Sequence, residues 1–538
     1  MKYRILAIAA PLSAALLLVS PSMLQGAEPP RPAGTTDAVD KVVSVYPDWV
    51  LEKNFLGFGV QWEYEGDHRD NNVDNPVWMK RWPEIQKRID FMRPAMFRVM
   101  HSSLMYTRLE QDKILPDYDS PRMQVMYMVL DYAKSRSIPV VFGDWFLPGA
   151  YFKPLDGTAN PPLYGLTTNP VWTDDIIAPF LAYLREKRDY TNIAYFTLVN
   201  EPTDEKIWPN PWGWAGWRTA ILNLHAALKK QGLEDKIQIV GTDGPGDFTH
   251  WIERVAQDPE LRECIGAYEY HFYASLKHMD TRENNFSPLP IESQPSQWAP
   301  SLVDGKMETG ELLSRRLAVE TYDPKGASKP FFMGEVGIRD DMGVDNQIHR
   351  YEFSYGVWMA DYAIQSIRAG LSGLIAWDMD DAMHTHGTYG PAGLKGWGFW
   401  NSLAGCKGYP EDDFKLRPWY YTWSLLCRLF PAGSQSLMAR DTGDAACRVA
   451  AARLPDGKGL SFAVVNESST ALNITLKIPG ADPTTLYEYR YFADDQAVDQ
   501  EGFPVTSAIH QSADLSSGFQ VKLPGKGVVF LTTRNPKD

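Results

Sequence analysis

The chain predicts a mixed α/β fold, a (β/α)8 barrel with a C-terminal β-sandwich domain. Three observations carry this. Short apolar runs alternate eight times with helical periodicity between residues 50 and 430. The surplus length in that region falls after strands and before the helices that follow. From about residue 433 helical periodicity stops, and alternating strands separated by Gly, Pro and Asp turns take over.

At the amino terminus, Lys2 and Arg4 precede an apolar run over 5–19, which reads as a secretory signal cleaved near Gly26-Ala27. Pro11 interrupts the run. The run is also shorter than the ~18 residues a membrane anchor needs. Residues 1–27 are therefore expected to leave on export, which puts the protein outside the cell or in the periplasm. Residues 28–45, rich in Pro, Gly, Thr and charge, are expected to be a disordered lead-in. No later segment is apolar for long enough to span a bilayer, so no membrane span is expected in the mature chain.

The barrel is expected over 46–430. Its strands are read at 55–62, 95–100, 138–142, 193–199, 237–241, 265–271, 330–334 and 371–377. Helices are read at 77–91, 123–134, 174–187, 214–230, 248–255, 346–368 and 419–430. Roughly 380 residues is well above the ~250 of an ordinary barrel. The surplus lies in 144–172, 203–214, 274–329 and 380–418. Each segment follows a strand, so all four belong to the carboxyl face, where barrel active sites are built. Long loops there predict a walled cleft or pocket. The accessory domain, 431–538, has strand patterns at 449–454, 460–465, 471–478, 486–492, 519–523 and 528–533. Its short connection, Pro431-Ala432-Gly433, predicts rigid packing on the barrel. No Trp follows Trp423, which favours a structural role over a separate sugar site.

Composition narrows the function. A net charge of −14, spread without long runs, argues against nucleic acid or an anionic membrane as partner. The 18 Trp exceed what a core of this size needs, and surplus Trp suits the flat apolar faces of sugar rings. More than half are still expected in the core. Cys264, Cys406, Cys427 and Cys447 lack CxxC spacing, which disfavours zinc. Export would permit a disulfide in any of three pairings, but mostly buried free thiols are expected.

Two short motifs carry the chemistry: Val199-Asn200-Glu201-Pro202 and Met333-Gly334-Glu335-Val336-Gly337. Each places a Glu where a buried strand ends. Carboxyl pairs at barrel strand ends are the usual apparatus for cutting glycosidic bonds. Other strand ends hold Phe97-Arg98-Val99, His271-Phe272-Tyr273 and Trp377. In this order the set resembles clan A glycoside hydrolases over residues 50–430, nearest in motif to family 5-like members. That resemblance implies Glu201 as acid/base and Glu335 as nucleophile in a retaining double displacement. It implies that Arg98 and Tyr273 stabilise the nucleophile's charge and that Asn200 donates to the sugar 2-OH. His271 would touch a hydroxyl of the cleaved sugar, and Trp377 would form the floor under the ring. Asp144-Trp145 and Trp62-Glu63 are further subsite candidates, with plain packing an equal reading for the two Trp. Family-5 members often carry His after strand three, where this chain reads Gly143-Asp144-Trp145-Phe146.

The expected activity is cleavage of β-linked poly- or oligosaccharides, with no cofactor and no metal. Two other readings stay open. One is a non-catalytic glycan-binding protein on the same scaffold, which the presence of both Glu disfavours. The other is a barrel metallohydrolase using the Asp378, Asp380, Asp381, His384 and His386 loop. Barrel metal sites normally draw ligands from several strands, so that loop reads better as a wall.

Overall fold

The computed structural model describes residues 39–538, apart from 63–76, 111–112, 146–169, 203–212, 246–250, 276–307, 340–347, 382–395, 407, 441, 443–445 and 537–538. The expected signal at 1–27 lies outside the described residues. Eight parallel strands close the barrel: β2 (Gly57–Gln61), β3 (Phe97–His101), β6 (Val140–Asp144), β7 (Ile193–Thr197), β8 (Gln238–Pro245), β9 (Ile265–Ser275), β10 (Phe331–Arg339) and β11 (Gly373–Ala376). Their neighbours run in chain order, and β11 closes on β2 with Gly373 opposite Gly57. These strands are covered on both faces, which is why they read as continuous apolar runs. Met96, Val141, Val240, Ala267, Phe332 and Ile375 fill the barrel interior. A far larger apolar layer lies between the strands and the helices.

The expected helices form at or near their sequence positions. α1 is Trp82–Met92, α2 Pro121–Ser135, α3 Ala178–Glu186, α4 Gly213–Lys230 and α5 Trp251–Gln257. α2 starts where Ser120 accepts from the Met123 amide and Pro121 fits the first turn. Two features between the expected elements had no sequence counterpart. A hairpin, β4 (Thr107–Glu110) with β5 (Lys113–Pro116), follows β3. After the one-turn α6 (Leu261–Cys264), helix α7 (Glu308–Tyr322) ends the long insertion before β10.

The second sheet has nine strands. β1 (Val39–Glu52) joins β12 (Gln435–Ala439), β13 (Cys447–Arg453), β14 (Leu460–Asn466), β15 (Leu472–Lys477), β16 (Thr484–Tyr491), β17 (Ala508–Ala513), β18 (Phe519–Leu523) and β19 (Gly527–Thr532). Here the expected lead-in needs correction. Residues 39–45 are strand, and the whole of β1 belongs to this sheet. Its first half pairs parallel with β15 and its second half antiparallel with β12. The cause is a short alternation that charge at Asp40 and Lys41 obscures. Val43 and Val45 turn inward with no exposure and pack in the apolar layer of Val464, Leu476, Leu486 and Leu531.

α8 (Phe353–Arg368) lies between barrel and sheet and is buried on nearly every side. Asp361 on it pairs with Arg448 of β13 at 2.9 Å. Its carboxyl-terminal Arg368 donates to the Ala439 and Val449 carbonyls, and Tyr491 donates to the Phe353 carbonyl at 2.9 Å. α9 (Pro418–Leu429) packs beside α8. All four cysteines are free, Cys427 and Cys447 buried and the other two half-buried. Among the described residues no helix is long and apolar enough to cross a membrane.

Candidate active site

The site forms where the inward-facing residues at the carboxyl ends of the barrel strands converge. A strand presents alternate residues to one face. On β9 that puts Glu269, His271 and Tyr273 on the same side, pointing inward. On β3 it puts Arg98 inward, and on β2 it selects Gln61.

Arg98 is the centre of the arrangement and has no exposure. Its Nη1 donates to Glu335 Oε1 at 2.5 Å and also to Gln61 Oε1. Its Nη2 donates to Asn200 Oδ1 at 2.9 Å and to both oxygens of Asp243 at 3.0 and 3.1 Å. Tyr273 Oη donates to the other Glu335 oxygen at 2.6 Å. Glu335 is therefore held at both oxygens, one by a guanidinium and one by a phenol. Charge-assisted bonds of this kind are short and directional, so they fix where the carboxylate points.

Glu201 sits just past β7 with a left-handed backbone, φ +48°. That conformation costs a non-glycine residue about 1–3 kcal/mol. The neighbouring backbone holds it: the Glu201 amide donates to the Asp243 carbonyl at 2.9 Å, and the Asn200 amide to the Asp144 carbonyl at 3.1 Å. His271 Nδ1 meets Glu201 Oε1 at 2.9 Å and lies 3.5 Å from Glu335 Oε2. One carboxylate oxygen of Glu201, one of Glu335 and a His271 ring nitrogen all lie within 4.8 Å of one another. The Glu201 side chain is 16% exposed and that of Glu335 6%, so Glu201 is the more open of the two.

Below them lie two carboxyls that the strand-end motifs did not single out. Asp243 Oδ1 is 3.1 Å from His271 Nε2, and Glu269 Oε1 is 3.5 Å from the same nitrogen. Burial opposes charge on Asp243, yet Arg98 and His271 hold its carboxyl well below the usual carboxylate range. Glu269 is pushed the other way, first by burial and then by the Asp243 charge. Burial disfavours a charged His271, but Glu335 and Asp243, with hydrogen bonds to Asp243 and Glu201, raise it well above its ordinary value. Gly334 makes room for this layer, since a Cβ there would sit 1.7 Å from Glu269 Oε1.

The other expected residues divide. Trp377 is buried at the end of β11, edge-on to Tyr273 at 6.3 Å and to Trp397 at 5.4 Å. Trp145 is half-buried with the Arg98 guanidinium 5.9 Å from its ring, which places it at the site. Trp62 does not belong to it. It has no exposure and packs against Trp82, Phe97 and Tyr132, because it points outward while its neighbour Gln61 points in. Asp144 is also fully buried, and its backbone carbonyl accepts from the Asn200 amide. His271, expected to touch a sugar hydroxyl, instead has both ring nitrogens against carboxylates and no exposure. Glu63 lies outside the described residues.

Among the described residues, two carboxylate–histidine groups have spacing that a metal ion could use, Glu201/His271/Glu335 and Asp243/Glu269/His271. They share His271, and the Arg98 guanidinium already binds Glu335 and Asp243. That fixed positive charge makes a cation a poor occupant. In the acidic loop, Asp381 pairs with Arg417 and accepts from the Gly398 amide, and Asp380 accepts from Trp400 Nε1 and the Ser402 amide. These two carboxylates brace the loop; His384 and His386 lie outside the described residues.

No family model matches the sequence, and no curated protein is a significant match to it. Solved structures do match in fold. One is a GH30 endoxylanase from Clostridium papyrosolvens, 11% identical, with a TM-score of 0.58 over 92% of this chain and 100% of that one. A GH39 β-xylosidase from Caulobacter crescentus is 12% identical, with a TM-score of 0.54 over 92% of this chain and 100% of that one. An α-L-arabinofuranosidase from Thermotoga maritima is 12% identical, with a TM-score of 0.55 over 91% and 99%. At these identities the likeness establishes the architecture, a (β/α)8 barrel with a β-rich accessory domain.

Proposed function

We propose that this protein is a retaining glycoside hydrolase of clan A type that cleaves β-linked poly- or oligosaccharides. The observation that carries the reading is the pair Glu201 and Glu335, with carboxylate oxygens within 4.8 Å. Retaining enzymes hold their carboxyls ~5–5.5 Å apart, whereas inverting ones leave ~6.5–9.5 Å for a water between them. The named activities of the fold neighbours, xylanase, β-xylosidase and arabinofuranosidase, support a glycoside as the substrate class. Their family numbers, 30 and 39, give no support to the closer family-5 likeness, which rests on sequence motifs.

The steps follow from the geometry. Glu335 attacks the anomeric carbon while Arg98 and Tyr273 hold its charge and aim. Glu201 gives its proton to the leaving oxygen. Once Glu335 is esterified, Glu201 takes a proton from water, which then opens the glycosyl ester with net retention. With Oδ1 bound to Arg98, Asn200 presents its amide nitrogen to the sugar 2-OH. Trp377 and Trp145 supply ring faces for the sugar. The amino-terminal segment is proposed to direct export, so the substrate is met outside the cytoplasm.

The test is Glu335→Ala with azide. Hydrolysis of aryl β-glycosides should disappear and return with azide as a glycosyl azide of inverted configuration. Undiminished hydrolysis by Glu335→Ala would remove the assignment. Full activity in excess chelator is expected, and its loss would favour the metallohydrolase alternative.

A further inference from the structure

The chemistry above uses Glu201 and Glu335, but two more carboxyls lie behind them. Asp243 and Glu269 sit on the adjacent strands β8 and β9 and converge on His271 Nε2, at 3.1 and 3.5 Å. One oxygen of each and the ring nitrogen lie within 4.8 Å of one another. Side-chain exposures of 3%, 1% and 0% for Asp243, Glu269 and His271 leave no water to screen them. Two carboxylates so close and so dry do not both ionise.

Charge balance decides which one does. The groups facing His271 and its partners are Arg98 on β3, Glu201 after β7, Asp243 on β8, Glu269 and Tyr273 on β9, and Glu335 on β10. Two cations, Arg98 and a charged His271, then face four carboxyls. A neutral buried set leaves two anions and two protonated acids. Arg98 claims Glu335 at 2.5 Å and Asp243 at 3.0 Å. Of the fully buried carboxyls, the one left for a proton is Glu269.

We propose that Asp243 and Glu269 form one carboxyl pair sharing a single proton, and that its single negative charge keeps His271 an imidazolium facing Glu201 and Glu335. The directions in which the three groups are shifted agree with this. The catalytic consequence rests on the glycosidase reading, whereas the protonation states do not. His271 donates at Nε2 to Asp243 and at Nδ1 to Glu201. When the Glu201 proton passes to the leaving oxygen, the imidazolium already bonded to Glu201 steadies the new carboxylate. No other proton moves. Asp243 and Glu269 act through His271 and are positioning residues.

The test uses the full chain. Infrared difference spectra of wild type against Glu269→Gln at neutral pH should show loss of the C=O stretch of a protonated carboxylic acid. Loss of carboxylate bands alone would overturn the proposal. The second arm is the pH dependence of kcat/KM on whichever β-glycoside the wild type hydrolyses. Asp243→Asn removes the counter-charge of His271, so His271 should lose its proton at lower pH and the alkaline limb it sets should move down by about one unit or more. If Glu269 carries the proton, Glu269→Gln removes no charge, so both limbs should stay in place whatever happens to kcat. An equal shift in the two variants would mean that Glu269 is ionised and would overturn the pairing. If Asp243→Asn does not fold, the Glu269→Gln band and limbs decide. If the wild type hydrolyses no glycoside, the glycosidase reading falls, and the infrared band still settles the proton.

Discussion

Arg98 binds five side-chain oxygens from four residues on four different strands or strand ends, and its removal should be felt in both stability and catalysis. Arg98→Met leaves Glu335 and Asp243 buried without their cation. Breaking a buried pair in this way costs about 3–5 kcal/mol, measurable by urea unfolding, and hydrolysis should fall with it. A loss below about 1 kcal/mol would mean the pair is screened as a surface pair is. Glu201→Ala should lower kcat about 10²–10⁴-fold on substrates with poor leaving groups. Substrates whose leaving group needs no proton should show much less loss. Sequence reading singled out Glu201 and Glu335 by the Pro and Gly beside them, although β10 runs on past Glu335 to Arg339. It failed at Trp62, where the period of two sends Gln61 inward and Trp62 into the layer beneath the helices.

Strand β9 shows what spacing can reveal at the scale of an element. Glu269, His271 and Tyr273 are two apart, so recognising His271 as inward would have implicated Glu269 as well. Asp243 was hidden for a different reason. It lies in Thr242-Asp243-Gly244-Pro245, a run with the composition of a loop, while β8 continues through it to Pro245. Strand β1 was missed because its alternation is brief and follows a Pro- and Gly-rich stretch. β1 hydrogen-bonds to both β12 and β15, so a defect in it should disturb both parts of the sheet. Val43→Asp would bury an unpaired carboxylate, and the variant should lose more than about 3 kcal/mol or fail to accumulate as soluble protein. An unchanged melting temperature would mean the strand contributes nothing to the packed sheet.

Across the whole molecule, barrel and sheet meet through a continuous apolar layer that includes Ala360, Ile364, Ala450, Val465 and Val528, with a few buried polar groups set in it. Glu467, beside Asp361 and Arg448, is pushed up to about 8 by burial first and by the Asp361 charge next. Its folded value is above the unfolded ~4.3. Its contribution to stability is therefore complete below that unfolded value and is lost as pH rises through about 8. Thermal melts should show stability falling over that window, and Glu467→Gln should flatten the slope. An unaltered slope would place the proton elsewhere. The barrel was legible because eight buried strands and their helices each leave a separable apolar pattern. The loop elements were not, because β4, β5 and α7 depend on packing against the barrel more than on their own periodicity.

The configuration of the first product tests most directly whether Glu201 and Glu335 form a retaining pair. Proton NMR during hydrolysis of an aryl β-glycoside should show the β-anomer of the released sugar first, with the α-anomer appearing only as mutarotation proceeds. Initial release of the α-anomer would contradict the double displacement and the roles assigned to both glutamates.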